Sequence, residues 1–293
     1  MASILLFLSV IPVVVICTYI YLKDRNKEPW SLLIKLFVLG ISSCFLVLMV
    51  SGILFEILPF MNKDTAYMTF FEVMAYAFIG VALIEEFCKW LMVYIGSYTN
   101  KAYDELYDGI VYSVYVSLGF AFLENLLYVF KNQSIVVGIS RGLLAVPGHA
   151  CDAVFMGYYL SLAKVYASQG NKTLEKKNLV LSVLVPTILH GIYDFCLFAN
   201  IGILLIVFLA FVILLYIFSI KKIKLLAAQC KKTPQQVPQY QQPQYRPQYA
   251  TTPAQNQQAG YVNYQPQIVN KYCPNCGAPT NGQFCPNCGY RQN

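Results

Sequence analysis

The sequence predicts an all-α polytopic membrane protein of about seven transmembrane helices, followed by a small C-terminal zinc ribbon. Three observations predict it. Of the 293 residues, 57% are hydrophobic and only 12% charged, where a soluble domain carries about 45–50% apolar and about 25% charged residues. Apolar stretches near the ~20 residues needed to cross ~30 Å of hydrocarbon recur along the first three quarters of the chain. A polar tract then leads to two near-copies of a CxxC knuckle.

The apolar stretches run approximately 2–22, 31–57, 70–95, 108–130, 138–164, 178–199 and 202–220. No Lys or Arg precedes the first, while Lys23, Arg25 and Lys27 follow it; that is a signal-anchor pattern with the N-terminus outside. Lys101, the lysines of 172–177 and those of 221–224 fall in loops on the same, cytosolic side, and the alternate loops hold little beyond Lys63 and Lys131. The C-terminus is therefore expected in the cytosol. The net charge of +7 is mostly this loop asymmetry, so no nucleic-acid partner is expected. Tyr21, Trp30 and Trp90 near span ends suit an interfacial aromatic belt, and the lipid bilayer is the expected solvent of 1–225.

The composition changes abruptly after Lys224, and from Thr233 to about Asn270 Gln, Pro and Tyr dominate with almost no aliphatic residues, so 226–270 reads as a disordered tether. The segment 271–293 contains Cys273, Cys276, Cys285 and Cys288. Each CxxC brings two thiolates onto one turn, Gly277 and Gly289 permit that turn, and four sulfurs complete a tetrahedral Zn²⁺ shell. All four positions are filled by Cys, so this zinc is structural rather than catalytic. A disulfide pair is the competing reading, disfavoured by the reducing cytosol. An unknown cytosolic partner of the ribbon is expected. The six other cysteines are scattered singly and read as packing residues.

Ionisable groups in hydrocarbon cost a few kcal/mol and normally mark a pathway or a site. They cluster here. The third span carries Glu85, Glu86 and Lys89; Glu85 and Lys89 are one turn apart and Glu86 projects about 100° away. The fourth carries Glu124 and Asn125, the fifth His149 with Asp152, and the sixth His190 with Asp194 on one face. A lone helical His is more often a satisfied core residue than a catalyst. Both of the chain's histidines, however, lie within spans and beside carboxylates. At about 1.5 Å per residue, Glu124, His149 and His190 fall roughly 10–15 Å below the outer face, and Glu85 near mid-membrane.

Four motifs occur in order: EExxK as Glu85, Glu86 and Lys89; FxxxEN as Phe120, Glu124 and Asn125; PGHA with His149; and HxxxD as His190 and Asp194. At these residues the membrane region, about 1–225, resembles the PrsW family of intramembrane proteases, distant relatives of the CAAX prenyl-protein proteases. FxxxEN stands where those relatives have FxxxH, and Asp152-Ala153 stands where a glycine is expected after the histidine. The resemblance implies a bacterial plasma-membrane peptidase acting in stress signalling. Its substrates would be single-pass membrane proteins such as anti-sigma factors, cleaved near the outer face.

On that reading Glu85 is the general base, its burial making the carboxylate a better proton acceptor. Glu86 and Lys89 orient it, and His149 and His190 donate to the oxyanion, with Asp194 fixing the His190 tautomer. Glu124 and Asn125 position water or substrate. A catalytic Zn²⁺ held by a Glu and both histidines, with the second Glu as base, uses the same residues. The chain lacks HExxH, so that signature lends the metal version no support, and the relatedness to CAAX proteases that the resemblance implies favours the glutamate version. Two other classes remain open: an ion- or proton-coupled transporter built on the same buried charges, and a non-catalytic scaffold whose output is the tail.

Overall fold

The computed structural model describes residues 2–229. The greater part of the 226–270 tether, and the ribbon with Cys273, Cys276, Cys285 and Cys288, lie outside the described residues. Nine α-helices are present among the described residues: α1 (Ala2–Lys23), α2 (Trp30–Ile57), α3 (Phe70–Ala75), α4 (Ile84–Ser97), α5 (Leu106–Asn132), α6 (Ile135–Ser140), α7 (Val146–Ser168), α8 (Lys172–Phe198) and α9 (Gly202–Gln229). No strand occurs among them.

Five helices, α1, α2, α5, α8 and α9, are long and apolar enough to cross a membrane without interruption. The third and fifth predicted spans are composite. A π-helical segment at Tyr76–Leu83 joins α3 to α4, and another at Arg141–Ala145 joins α6 to α7. Such wide turns need an extra residue per turn and recur at functional sites. Here α-helix resumes at Ile84, one residue before Glu85, and at Val146, three before His149.

The helix starts are legible locally. Thr69 opens α3 with a capping box: its hydroxyl accepts from the Glu72 N–H, and Glu72 accepts from the Thr69 N–H. Asn171 caps α8 by accepting from Leu174 N–H. Glu105 and Asp108 form the equivalent pair at the start of α5.

Helix α5 is the axis of the bundle, packed against α1, α2, α4, α6, α7 and α9. Tyr107, Ile110, Val114, Leu118 and Ala121 along it are wholly or almost wholly buried. The outer faces are apolar in the opposite sense: Phe7, Ile34, Leu48, Ile203 and Ile206 are each about half or more exposed. In water that would be a large cost, in lipid none.

Glycines let the central helices touch backbone to backbone. A Cβ at Gly40 would lie 1.9 Å from Val116 O and one at Gly119 2.1 Å from Phe37 O, locking α2 to α5. At the α5–α7 contact, a Cβ on Gly157 would sit 2.1 Å from Gly109 O. That contact sets the spacing of the helices carrying Glu124 and His149. Gly157→Val is therefore expected to destabilise the bundle by about 2–3 kcal/mol or more. An earlier midpoint in SDS unfolding of the purified protein, with activity lost in step, is the expected readout; an unchanged midpoint would mean the helices can separate freely.

Candidate active site in the membrane bundle

The eight polar residues singled out by sequence meet in one cluster, contributed by α4, α5, α7 and α8. Lys89 is its hub. Its wholly buried ammonium donates to Glu85 Oε2 at 3.1 Å and to Glu86 Oε1 at 2.8 Å, contacts His149 Nδ1 at 3.1 Å, and lies 4.1 Å from the centre of the Phe120 ring. Glu86 projects away from Glu85 along the helix, yet the long lysine reaches both, at i,i+4 and i,i+3.

Each histidine is held at both nitrogens. His190 Nδ1 lies 2.9 Å from Glu86 Oε1, and its Nε2 is 3.4 Å from Asp194 Oδ2 and 4.0 Å from Glu85 Oε2. His149 Nε2 meets Glu124 Oε2 at 3.0 Å while Nδ1 faces Lys89. With the ammonium able only to donate, His149 Nδ1 is the acceptor and Nε2 carries the proton donated to Glu124. The two imidazoles stand edge to face, 5.3 Å apart.

Two residues enter that the sequence reading left out of the site. Arg141, in the π segment before α7, donates to Glu124 Oε2 at 2.7 Å and, through Nε, to Asn125 Oδ1 at 3.2 Å, and stacks on Tyr128. Its signal is a charge three residues into the predicted fifth span. Asp152, one turn after His149, is buried with Oδ1 lacking a hydrogen-bond partner among the described residues.

These groups open into a cavity of about 340 Å³. Glu85, Glu124, His149, Asp152, His190 and Asp194 line it, whereas Glu86 and Lys89 lie behind the wall. Of the adjacent Glu pair, only Glu85 faces the cavity.

Five carboxylates, Glu85, Glu86, Glu124, Asp152 and Asp194, share this region with two permanent cations, Lys89 and Arg141. The shortfall of positive charge must be met by protons or by another cation. The donors suit a metal: one ligand atom each from Glu85, Glu86, His149 and His190 lies within 4.8 Å of all the others, and all four residues are buried. Imidazoles with carboxylate form the donor set of many catalytic zinc sites.

Paired acids and imidazoles around a cavity, inside helices whose outer surface is apolar, are the arrangement of a membrane-embedded enzyme. Residues 28–219 match the family described as PrsW family intramembrane metalloprotease, and the chain belongs to that family. Among its relatives, Protease PrsW of Oceanobacillus iheyensis is 37% identical over 218 residues, covering 74% of this chain and 93% of that protein. Protease PrsW of Geobacillus kaustophilus is 38% identical over 193 residues, 66% and 79% of the two chains. That of Bacillus subtilis is 34% identical over 217 residues, 74% and 92%. No solved structure matches this chain. The chain is a multi-pass membrane peptidase.

Proposed function

We propose that this peptidase cleaves single-pass membrane proteins, anti-sigma factors among them, in a bacterial plasma membrane, with Glu85 as the general base. The observation that carries the reading is the asymmetry of the Glu85–Glu86 pair: Glu85 alone faces the cavity, while Glu86 is locked behind it by Lys89 and His190. A water in the cavity gives its proton to Glu85 as its oxygen attacks the peptide carbonyl; Glu85 then passes that proton to the leaving amine. His190, oriented through Nδ1 by Glu86, turns Nε2 towards Glu85, Asp194 and the cavity, where a proton on Nε2 stabilises the developing oxyanion. His149 is committed by close contacts at both nitrogens, 3.1 Å to Lys89 and 3.0 Å to Glu124, and positions those two. The longer 3.4 Å contact of His190 Nε2 with Asp194 leaves that nitrogen available to the oxyanion. Arg141 holds Glu124 and Asn125 at the cavity edge for substrate or water.

The two composite helices, 70–97 and 135–168, complete a seven-span topology with the N-terminus outside and the C-terminus cytosolic, a reading supported by the Lys and Arg distribution. The 226–270 segment tethers a structural zinc site of Cys273, Cys276, Cys285 and Cys288, which meets a cytosolic partner; the repeated CxxC spacing supports it.

A second reading is favoured by the four converging donors. Glu86, His149 and His190 would hold a catalytic dication, with Glu85 still the base. Such a dication supplies Lewis-acid polarisation of the carbonyl and a more acidic water. Lys89 competes with it for Glu86 and His149.

Wild type and Glu85→Gln expressed at matched levels, with new protein N-termini profiled in membrane and released fractions, test the reading. Fragments from membrane-proximal segments that depend on Glu85 are expected. Identical profiles with the native membrane proteins present would sink it. Treating the purified enzyme with a chelator separates the mechanisms: undiminished cleavage supports glutamate alone, and loss restored by Zn²⁺ supports the metal. Arg141→Gln is expected to slow turnover by at least ~10-fold with little change in melting temperature, whereas an equal loss of both would mark Arg141 as structural.

A further inference from the structure

A cavity of about 560 Å³, larger than the catalytic one, lies where α1 and α9 pack on α5 and α7. The two cavities share no lining residue. Helix α7 is common to both: Gly148, His149 and Asp152 face the active site, and Pro147, Ala150, Cys151 and Val154 face the second cavity.

The lining of this groove changes from apolar to basic along its length. Ile16 and Ile20 of α1, Val114 of α5, and Ile220 and Ile223 of α9 supply aliphatic surface. Tyr216 donates its hydroxyl to the Leu143 carbonyl at 2.9 Å, which leaves its ring to the groove. The lining residues furthest along each outer helix are lysines: Lys23 ends α1, and Lys224 lies five residues before the end of α9. From Ile16 to Lys23 the helix rises about 10 Å, and from Tyr216 to Lys224 about 12 Å, against about 15 Å for half of a hydrocarbon core. The groove is therefore close to one leaflet deep, with its cations where the hydrocarbon ends.

These two lysines are uncommitted. Neither ammonium forms a hydrogen bond or ion pair among the described residues, and Lys23 lies only within 5.7 Å of the Tyr19 ring centre. By contrast, Lys27 donates to the carbonyls of Tyr21 and Asp24, Lys164 to those of Tyr98 and Asn100, and Lys222 sits 3.4 Å from the centre of the Tyr158 ring. Asp24, next to Lys23 in sequence, is buried, and its Oδ1 accepts from the Asn26 N–H instead.

The occupant that complements such a groove brings a hydrocarbon chain and an anion together. Basic pockets between transmembrane helices take anionic lipid headgroups in this way. The rest of this chain offers no equivalent: residues 230–293 contain no Asp or Glu, and the Gln, Pro and Tyr tract is poor in aliphatic side chains. A substrate helix would have to reach Glu85, with which this groove shares no wall residue.

We propose that the groove between α1 and α9 binds one anionic phospholipid, its acyl chain against α7 and its phosphate at Lys23 and Lys224. On the topology proposed above, the lipid belongs to the cytosolic leaflet. The binding itself does not depend on sidedness, so a reversed topology would leave the site standing. Because α7 also carries His149, a bound chain supports the catalytic helix from behind, and the lipid should raise the melting temperature.

The test takes the full chain, freed of lipid in a neutral detergent, and adds phosphatidylglycerol or phosphatidylcholine with the same acyl chains. Native mass spectrometry reads the bound lipid and thermal unfolding reads the stabilisation. One copy of phosphatidylglycerol should be held at least about 10-fold more tightly than phosphatidylcholine. Lys23→Gln and Lys224→Gln should each weaken it about 5-fold, and the double variant about 20- to 30-fold. Lys221→Gln, which removes the same charge from an exposed residue outside the groove, should bind as wild type does. Ile220→Trp, at the exposed edge of the groove, should take the place of the acyl chain and abolish retention with both lysines intact. Equal retention of the two lipids overturns the site, since any acyl chain then suffices. A loss with Lys221→Gln as large as with Lys23→Gln overturns it too, as a diffuse effect of charge. Displacement by glycerophosphoglycerol, the same headgroup without acyl chains, would reduce the site to one for a free phosphate. A mass of two protein chains without lipid would give the groove to a second copy. Should one lysine variant fail to fold, the other carries the comparison.

Discussion

Glu85→Gln is expected to lower the rate of cleavage by the purified, reconstituted enzyme by about 10²–10⁴-fold, the range for removing a positioned general base. The bundle should stay intact. Glutamine keeps the shape of glutamate and retains a carbonyl oxygen to accept from Lys89, now 3.1 Å from Glu85 Oε2. Substitution also removes one negative charge from a cluster with more carboxylates than cations, so the melting temperature should hold or rise slightly. Glu86→Gln makes the contrast. Glu86 lies behind the cavity wall and binds Lys89 at 2.8 Å and His190 at 2.9 Å, so its loss should reduce activity through displacement of His190. Its pH–rate profile should shift, while that of Glu85→Gln flattens at a residual rate. If Glu85→Gln cleaves at the wild-type rate and Glu86→Gln does not, the roles within the pair are reversed.

The sequence makes the site legible because the membrane makes polar residues conspicuous. Glu85, Glu86, Lys89, Glu124, Asn125, His149, His190 and Asp194 each stand out against apolar neighbours, and all eight converge in the bundle. What the sequence conceals is the wiring. The i,i+4 rule links Lys89 to Glu85 alone, but the side chain also spans to Glu86 and to His149, sixty residues away in sequence. Arg141 satisfies the same test of a charge inside a span; its place beside Glu124 follows from the π segment that carries it, and a π turn leaves no periodic signature. The composite nature of the third and fifth helices escapes for the same reason, since hydropathy responds to length and composition and not to backbone register. The acidic cluster at the start of α5 was invisible from the other direction. Carboxylates near predicted loops read as solvated, yet Asp24, Glu28 and Asp108 are buried, Asp24 held by the Asn26 N–H, Glu28 by the Tyr112 hydroxyl and Asp108 by the N–H groups of Asp104 and Glu105.

Lys89→Met is expected to have the largest effect on stability of any single substitution in the membrane domain. The ammonium has no solvent exposure and joins α4 to α7 through Glu85, Glu86 and His149 above the Phe120 ring. Methionine replaces the stem but leaves two buried acids facing each other without a counterion. Breaking a buried pair in this way costs about 3–5 kcal/mol, which in a bundle of ordinary stability leaves little folded protein. The cost belongs to the abandoned charges and not to the lost lysine, so it should be recoverable. Adding Glu86→Gln to Lys89→Met removes the more deeply buried of the two charges and should restore about half of the loss, a coupling of 1 kcal/mol or more in a double-mutant cycle. Steric disruption alone predicts no such recovery, because glutamine refills no space that methionine left. SDS unfolding midpoints of the four proteins decide between them. Additive losses would mean that Lys89 acts by packing, and a rescued double variant, stable but inactive, would separate the lysine's structural role from the chemistry carried out at Glu85.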